Sequence, residues 1–376
     1  MDEINVILIS SVRPEKSMSA ALTLHRHLMN RRGIRLQILP AEHHEIVHSR
    51  FHSKIVPRLM RTPARRWAGD VDYLMHTKLP LEKYLVTPPA RARTVVLTLA
   101  YHSGCWVAQR YARRHRLPLI VRFDDWWPDI AAVHAPIRKQ LERRFLELHR
   151  SADLSLCISE GMLKALGSHR NARVILPIPD VEPIGPSKSN DSVGEFRVGY
   201  TGNMVDYSDM LADLAQLAVR QSDVRIEFRG RPRWQQALMH EMRHRHLLHD
   251  FASGPTFDDW LGSFHAYLVV MFFDAAHRRR TETCFATKLV EYSRAGRPVV
   301  IWAPETSAVV QWAKKSRAAL CVTEPDARAL LSALAHLKRD RALQLELAAR
   351  MRRAYETEFS PVSLQQQFLE GLNSVI

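Results

Sequence analysis

Short runs of aliphatic and β-branched residues recur along the chain, each bounded by a polar turn and followed by a stretch with helical spacing. Asn5 to Ser10 is the first such run. Its length and its lack of polar alternation read as a strand covered on both faces. Ser19 is then placed to cap a helix in which Leu22, His25, Leu28 and Met29 recur at helical spacing before Gly33 stops it. Ile34 to Leu39 is the next strand. A strand, a helix and a strand in that order begin a right-handed crossover unit and a parallel sheet. Further strands are predicted at Thr94 to Ala100, Pro118 to Phe123, Leu154 to Ile158 and Arg173 to Leu176, with helices at Trp106 to His115 and Ile137 to Ser151.

The segment PIPDVEPIGPSKSN, Pro177 to Asn190, breaks this pattern with four prolines and no periodicity. It reads as a connection between domains. Beyond it the alternation restarts: strand Arg197 to Tyr200, helix Met210 to Gln221, strand Arg225 to Arg229, helix Gln235 to Leu248, strand Tyr267 to Phe273, helix Lys288 to Ala295 and strand Pro298 to Trp302. Helices then run from Asp326 to Tyr355. The expectation is an α/β protein of two facing Rossmann-like domains, residues 1–180 and 193–358, joined by a linker at 181–192. Residues 359–376 form a last amphipathic helix, with Leu364, Phe368 and Leu372 four apart, packing on one of the two domains. In such sheets ligands bind beyond the carboxyl ends of the strands, so the loops there, and the cleft between facing domains, are where chemistry is expected.

Composition agrees with two globular domains in 376 residues, 46% of them hydrophobic and 25% charged. The charge adds information. Lys and Arg number 54 against 39 Asp and Glu, a net charge of +15, and residues 1 to 188 carry +13 of it. Such a one-sided basic field attracts phosphates, on nucleic acid, on an anionic lipid or on a diphosphate substrate. Cys105, Cys157, Cys284 and Cys321 lie far apart, which excludes a zinc ribbon or a disulfide framework and favours a reducing cytoplasm. The opening MDEINVILIS is too short in apolar residues for a signal peptide, and no later run approaches a membrane span. Membrane contact is therefore expected to be peripheral.

The most informative segment is ETCFATKLVEYSRAGRPVVIWA, Glu282 to Ala303. A helix opening with Lys288, and Glu291 one turn later, offers a cation and free N–H groups to a diphosphate and a carboxylate to two hydroxyls. On spacing alone the same polar residues also suit an ordinary helix cap. The segment resembles the donor-site signature of glycosyltransferase family 4, of the GT-B fold, with Phe285, Glu291, Ala295, Gly296, Pro298, Val299 and Val300 matching. Thr283 stands where the family has the first Glu of its pair, with Glu282 one residue early, and Ala286 stands where Pro is usual. The resemblance implies that the first position contacts the transferred sugar and Glu291 the ribose of a nucleotide-sugar donor. FRVGYTGNM (Phe196 to Met204), FASGPTFDDWLGSF (Phe251 to Phe264), ADLSLCISEGM (Ala152 to Met162) and VRFDDWWPD (Val121 to Asp129) resemble further family elements in the family's order. The family's Gly-Gly pair after the first strand is replaced by Ser17 to Ala20.

This resemblance implies donor binding by Gly202 and Asn203, Lys288 and Glu291, with Glu282 and Thr283 near the sugar. Arg229, Arg231 and Arg280, in loops after a strand and before the motif, are candidates for the diphosphate. His102, Asp124 and Asp125 follow strands and are candidates to accept the acceptor's proton or hold it in place. No metal or other cofactor is expected. The reaction implied is sugar transfer from a nucleotide-diphosphate sugar to a glycan or lipid-diphosphate acceptor in cell-surface polysaccharide synthesis, with retention of configuration, at the cytoplasmic side of an anionic membrane.

Three other readings compete. His44 to His48, HEIVH, matches the HExxH of zinc hydrolases but has Lys54 where a third ligand would stand. Asp70-Val71-Asp72 matches a metal-holding DxD, yet no buried strand precedes it. Nucleic-acid binding without transfer is the non-enzymatic alternative, motivated by charge, although no recognised nucleic-acid module is present.

Overall fold

The structure is a computed structural model, and it describes residues 3–16, 19–39, 58–59, 61–78, 85–88, 93–102, 104–185, 195–220, 224–252 and 254–376. His44 to His48 and Ser17 to Met18 lie outside these residues. The chain divides into two compact units, one comprising residues 1–176 with 364–376, the other 177–363. Each is built on a six-stranded, wholly parallel sheet flanked by helices.

In the N-terminal unit the strands are β1 (Ile4–Leu8), β2 (Ile34–Ile38), β3 (Thr94–Leu99), β4 (Leu119–Phe123), β5 (Leu154–Cys157) and β6 (Ala172–Val174), in the order β2-β1-β3-β4-β5-β6. β3 and β4 are buried at every residue, Thr94, Thr98 and Arg122 among their apolar neighbours included, as strands covered by helices on both faces are. The order reverses direction between β1 and β3, and this switch point opens a crevice at the carboxyl ends of those strands. Gly104 allows the close approach found there: a Cβ on it would lie 2.6 Å from Ser11 N. Its own N–H donates to Ser11 Oγ at 3.0 Å.

The last helix, Pro361–Asn373, joins the N-terminal unit through its Leu364–Asn373 portion. Phe368 stacks on the His27 imidazole at 4.5 Å, and Gln365 Oε1 lies 2.9 Å from His27 Nδ1. Burial, reinforced by the Arg122 guanidinium, pushes His27 down to about 3. An unfolded chain takes up this proton near pH 6.5 while the folded one refuses it down to about 3. Stability should therefore fall as pH drops through that window, by up to about 1.4 kcal/mol per pH unit from this residue. Urea denaturation at pH 7, 6, 5 and 4 should show a shallower acid loss in His27→Leu than in the parent. Equal slopes would remove His27 from the account.

The C-terminal unit holds β7 (Phe196–Thr201), β8 (Val224–Arg229), β9 (Leu248–His249), β10 (Ala266–Val270), β11 (Val299–Trp302) and β12 (Leu320–Val322), ordered β12-β11-β10-β7-β8-β9. Its switch point lies between β7 and β10. Two expectations are corrected. The predicted helix Gln235 to Leu248 stops at His244; His246 turns the chain at φ 54° and Leu248 pairs with Phe228 as an edge strand. Arg278 to Arg280, expected in a loop, open a helix, Arg278–Thr283, that follows a short 3-10 turn capped by Asp274. Among the described residues no helix is long and apolar enough to cross a membrane.

Candidate functional site

At the carboxyl end of β7 the chain turns sharply at Gly202, whose φ of +124° is a conformation L side chains rarely adopt. A Cβ there would lie 3.2 Å from both Cε and Nζ of Lys288. Gly230, at the end of neighbouring β8, has φ +151°, and a Cβ on it would come within 3.0 Å of Gly202 O. The exposed turn at Gly202 thus packs on the buried end of β8, with one ammonium group against it.

Lys288 lies on the helix Thr287–Ser293, and its ammonium donates to Tyr200 Oη at 2.9 Å. It also lies 4.2 Å from the Tyr200 ring centroid and 5.5 Å from that of Tyr207. The Tyr200 hydroxyl in turn donates to Asn203 O at 2.8 Å. Lys288 forms no ion pair with a carboxylate among the described residues, and burial pushes its pKa down to about 7. A cation held by aromatic faces and a hydroxyl, without a counter-charge, is poised to accept an anion. Tyr292, on the same helix, anchors this arrangement to β7 by accepting from Thr201 N at 2.9 Å.

Glu291 follows one turn later. Its Oε2 lies 3.5 Å from Arg294 Nη1. Arg294 has other holds: its Nη1 and Nη2 donate to Asp258 at 3.1 and 3.3 Å, and its Nε to Glu182 O at 2.8 Å. The Glu291 carboxylate is thus steadied by an arginine whose place does not depend on it.

The remaining predicted residues of this unit, Arg231 apart, have local partners. Asn203 Oδ1 accepts from Val205 N and Asp206 N at 3.0 and 3.1 Å, so its side chain shapes the turn after β7. Arg229 lies over the Trp260 ring at 4.6 Å and donates to Asp250 O at 2.9 Å. Arg280 pairs with Asp206 at 2.9 Å. Glu282 accepts from Arg278 Nε at 2.7 Å. Thr283 is buried and its hydroxyl donates to Arg279 O at 2.9 Å, within its own helix. Arg231 is exposed. The structure therefore brings together Gly202 and Lys288, with Gly230, Tyr200 and Tyr207 as partners that sequence reasoning missed. Tyr200 and Tyr207 read as core aromatics in the pattern; the glycine directly after a predicted strand was the available signal for Gly230.

In the N-terminal unit, His102 follows β3 at the switch point with φ 53°, left-handed backbone that a non-glycine residue adopts at a cost of roughly 1–3 kcal/mol. Cys105 Sγ donates to its carbonyl at 3.0 Å. The imidazole is exposed, 5.8 Å from the Trp127 ring, and lines a pocket of about 230 Å³. Asp124 is buried, with Oδ1 2.7 Å from Arg122 Nε. Burial raises its carboxyl pKa, and the arginine pulls it back part of the way. Asp125 is half-buried. Neither aspartate lines the pocket that His102 lines. Asp70, first residue of the DxD match, sits in a helix, Ala68–Lys78, and holds the His134 backbone N–H at 2.9 Å. Among the described residues no group of three or more His, Cys, Asp or Glu side chains is placed to hold a metal ion.

No protein-family model matches the chain. No curated protein matches it either. Solved structures do resemble it in fold. HepE of Anabaena, in complex with UDP and glucose, superposes with a TM-score of 0.64 over 99% of this chain and 100% of its own, at 13% identity. Sucrose-phosphate synthase from Thermosynechococcus elongatus gives 0.64 over 98% of both chains, also at 13% identity. WaaG, a glycosyltransferase involved in lipopolysaccharide biosynthesis, gives 0.59 over 99% of both at 13% identity. With two six-stranded parallel Rossmann-like sheets matched over nearly its whole length, the chain has the fold of the GT-B glycosyltransferases.

Proposed function

We propose that this protein is a glycosyltransferase that takes a sugar from a nucleotide-diphosphate donor bound at the C-terminal unit and passes it to a glycan or lipid-linked acceptor at the N-terminal unit. The observation that carries this reading is the uncompensated Lys288 ammonium against Gly202, at the carboxyl ends of β7 and β8. Breaking the bond between the sugar and the diphosphate leaves negative charge on the departing phosphate oxygen. A cation already held there stabilises that charge without reorganising, and the bare, exposed backbone at Gly202 lets phosphate come close. Glu291 is suited to accept hydrogen bonds from two ribose hydroxyls. His102 is suited to accept the acceptor's proton. Transfer without a metal, and with retention of configuration, belongs to this proposal through the family resemblance alone. The relatives solved with UDP or UDP-glucose support the choice of a nucleotide sugar.

A thermal-shift screen of the full chain against UDP-, GDP-, ADP- and TDP-sugars tests the reading, because a ligand that binds only the folded state raises the melting temperature. At least one is expected to raise it, and more than the free sugar does. No shift with any of them, together with tight and steeply salt-dependent binding of nucleic acid, would overturn the proposal.

A further inference from the structure

The pocket beside His102 has a chemistry of its own. Tyr73, Tyr101, His102, Trp106, Trp127 and Ile130 form most of its wall, and among the described residues no carboxylate, amide, lysine or arginine lines it. Gly69 permits its close packing, since a Cβ there would fall 1.9 Å from Ala132 O. The polar atoms of this wall are only the phenol, imidazole and indole groups of its aromatic side chains, so a sugar ring buried deep in it would bring more hydroxyls than the wall can match. A hydrocarbon meets no such mismatch. The volume of about 230 Å³ accommodates about eight water-sized groups, which are close in size to methylenes.

The surroundings say where such a chain would come from. Ile130 on the wall is 36% exposed, and Trp67, next to the helix that carries Gly69 and Tyr73, is 47% exposed. The Trp67 ring is fixed by stacking on His134 at 4.3 Å. Arg61 and Arg65 precede Trp67 in the chain, Arg138 and Lys139 lie on the helix that follows Ile130, Ala135–Ser151, and all four are exposed. Exposed tryptophan and isoleucine among arginines and lysine suit an anionic lipid surface. Two side-chain polar atoms of the wall, Tyr73 Oη and Trp106 Nε1, are buried without a hydrogen-bond partner among the described residues. Trp106 is 1% exposed.

We propose that this pocket holds the hydrocarbon segment of a lipid-linked acceptor drawn from an anionic membrane surface, with the Trp106 indole N–H donating to the oxygen at the head of that chain. The link to sugar transfer rests on the reading given above, whereas the preference for hydrocarbon does not.

The test titrates the full chain, by indole fluorescence and calorimetry, with n-octyl phosphate below its micellar range, methyl glucoside and inorganic phosphate. Octyl phosphate should bind saturably and the other two should not bind at the same concentrations. Ala131→Phe, which plugs the pocket, should weaken octyl phosphate at least tenfold; Ile130→Asn, at an exposed position, guards against a folding defect and should also weaken it, with melting temperatures measured for both. Phosphatidylglycerol vesicles should sediment the parent chain, and Trp67→Ser should reduce that severalfold. Methyl glucoside binding as tightly as octyl phosphate, octyl affinity unchanged in both variants, or no dependence of sedimentation on anionic lipid would each overturn the proposal. UDP-glucose and the other nucleotide sugars are titrated into the same preparations. Octyl phosphate binding without nucleotide-sugar binding would sink the transferase reading and leave the pocket standing, and the converse would sink the pocket alone.

Discussion

Lys288→Met should melt about 2–4 °C above the parent at pH 6 and yet transfer sugar roughly 100- to 1000-fold more slowly. Both effects have one cause. The ammonium is enclosed by Tyr200 and Tyr207 with no carboxylate beside it, so in the empty protein it is a charge held at a cost. Its folded pKa is about 7 against about 10.4 for an unfolded chain. Below pH 7 both states carry the proton and the folded state bears the full penalty. Between 7 and 10.4 the folded state releases its proton first, and stability rises with pH. The stabilisation by methionine should therefore be greatest on the acid side and vanish by about pH 10. Ligand binding should move the opposite way. The diphosphate of a nucleotide sugar keeps its charge from pH 6 to 9 and favours the ammonium form, so affinity should fall as pH rises above about 7, by up to about tenfold per unit. Calorimetry at pH 6, 7, 8 and 9 checks this. A parent affinity that is flat with pH, or a methionine variant that keeps the parent's slope, would remove Lys288 from the site.

Glu291→Ala should weaken nucleotide-sugar binding by roughly 100-fold, the equivalent of one or two lost charge-assisted hydrogen bonds, and nearly abolish turnover. The fold should survive, because Arg294 keeps Asp258 and the Glu182 carbonyl when its contact with Glu291 is gone. The two variants separate the halves of the donor. Pyrophosphate affinity should be lost in Lys288→Met and kept in Glu291→Ala, whereas nucleotide-sugar affinity should fall in both. Parent-like turnover in Glu291→Ala would sink its assignment to the ribose.

Lys288 and Glu291 are close in sequence, and the resemblance of their segment to a donor-site signature marks them as a pair where spacing alone also fits a plain helix cap. That Lys288 meets Gly202, and that Tyr200 and Tyr207 face its ammonium, are contacts between β7, the turn after it and a distant helix. No local pattern reports them. The strands behave in the same way. β3, β4 and β10 are fully buried and mostly apolar, and they announce themselves. β9 has two residues, and Leu248 continues the helical spacing of the residues before it; only pairing with Phe228 makes it a strand.

The arginines draw the line most clearly. Periodicity and turn chemistry, which act over a few residues, determined two parallel α/β units and placed Arg229, Arg280 and Lys288 near the carboxyl ends of strands. Which of those cations is available to an anion was decided by tertiary structure alone. Asp206 engages Arg280, Trp260 and a backbone carbonyl engage Arg229, and no carboxylate among the described residues reaches Lys288. Charge is a property of the residue, but its neutralisation depends on groups that the fold brings from elsewhere in the chain.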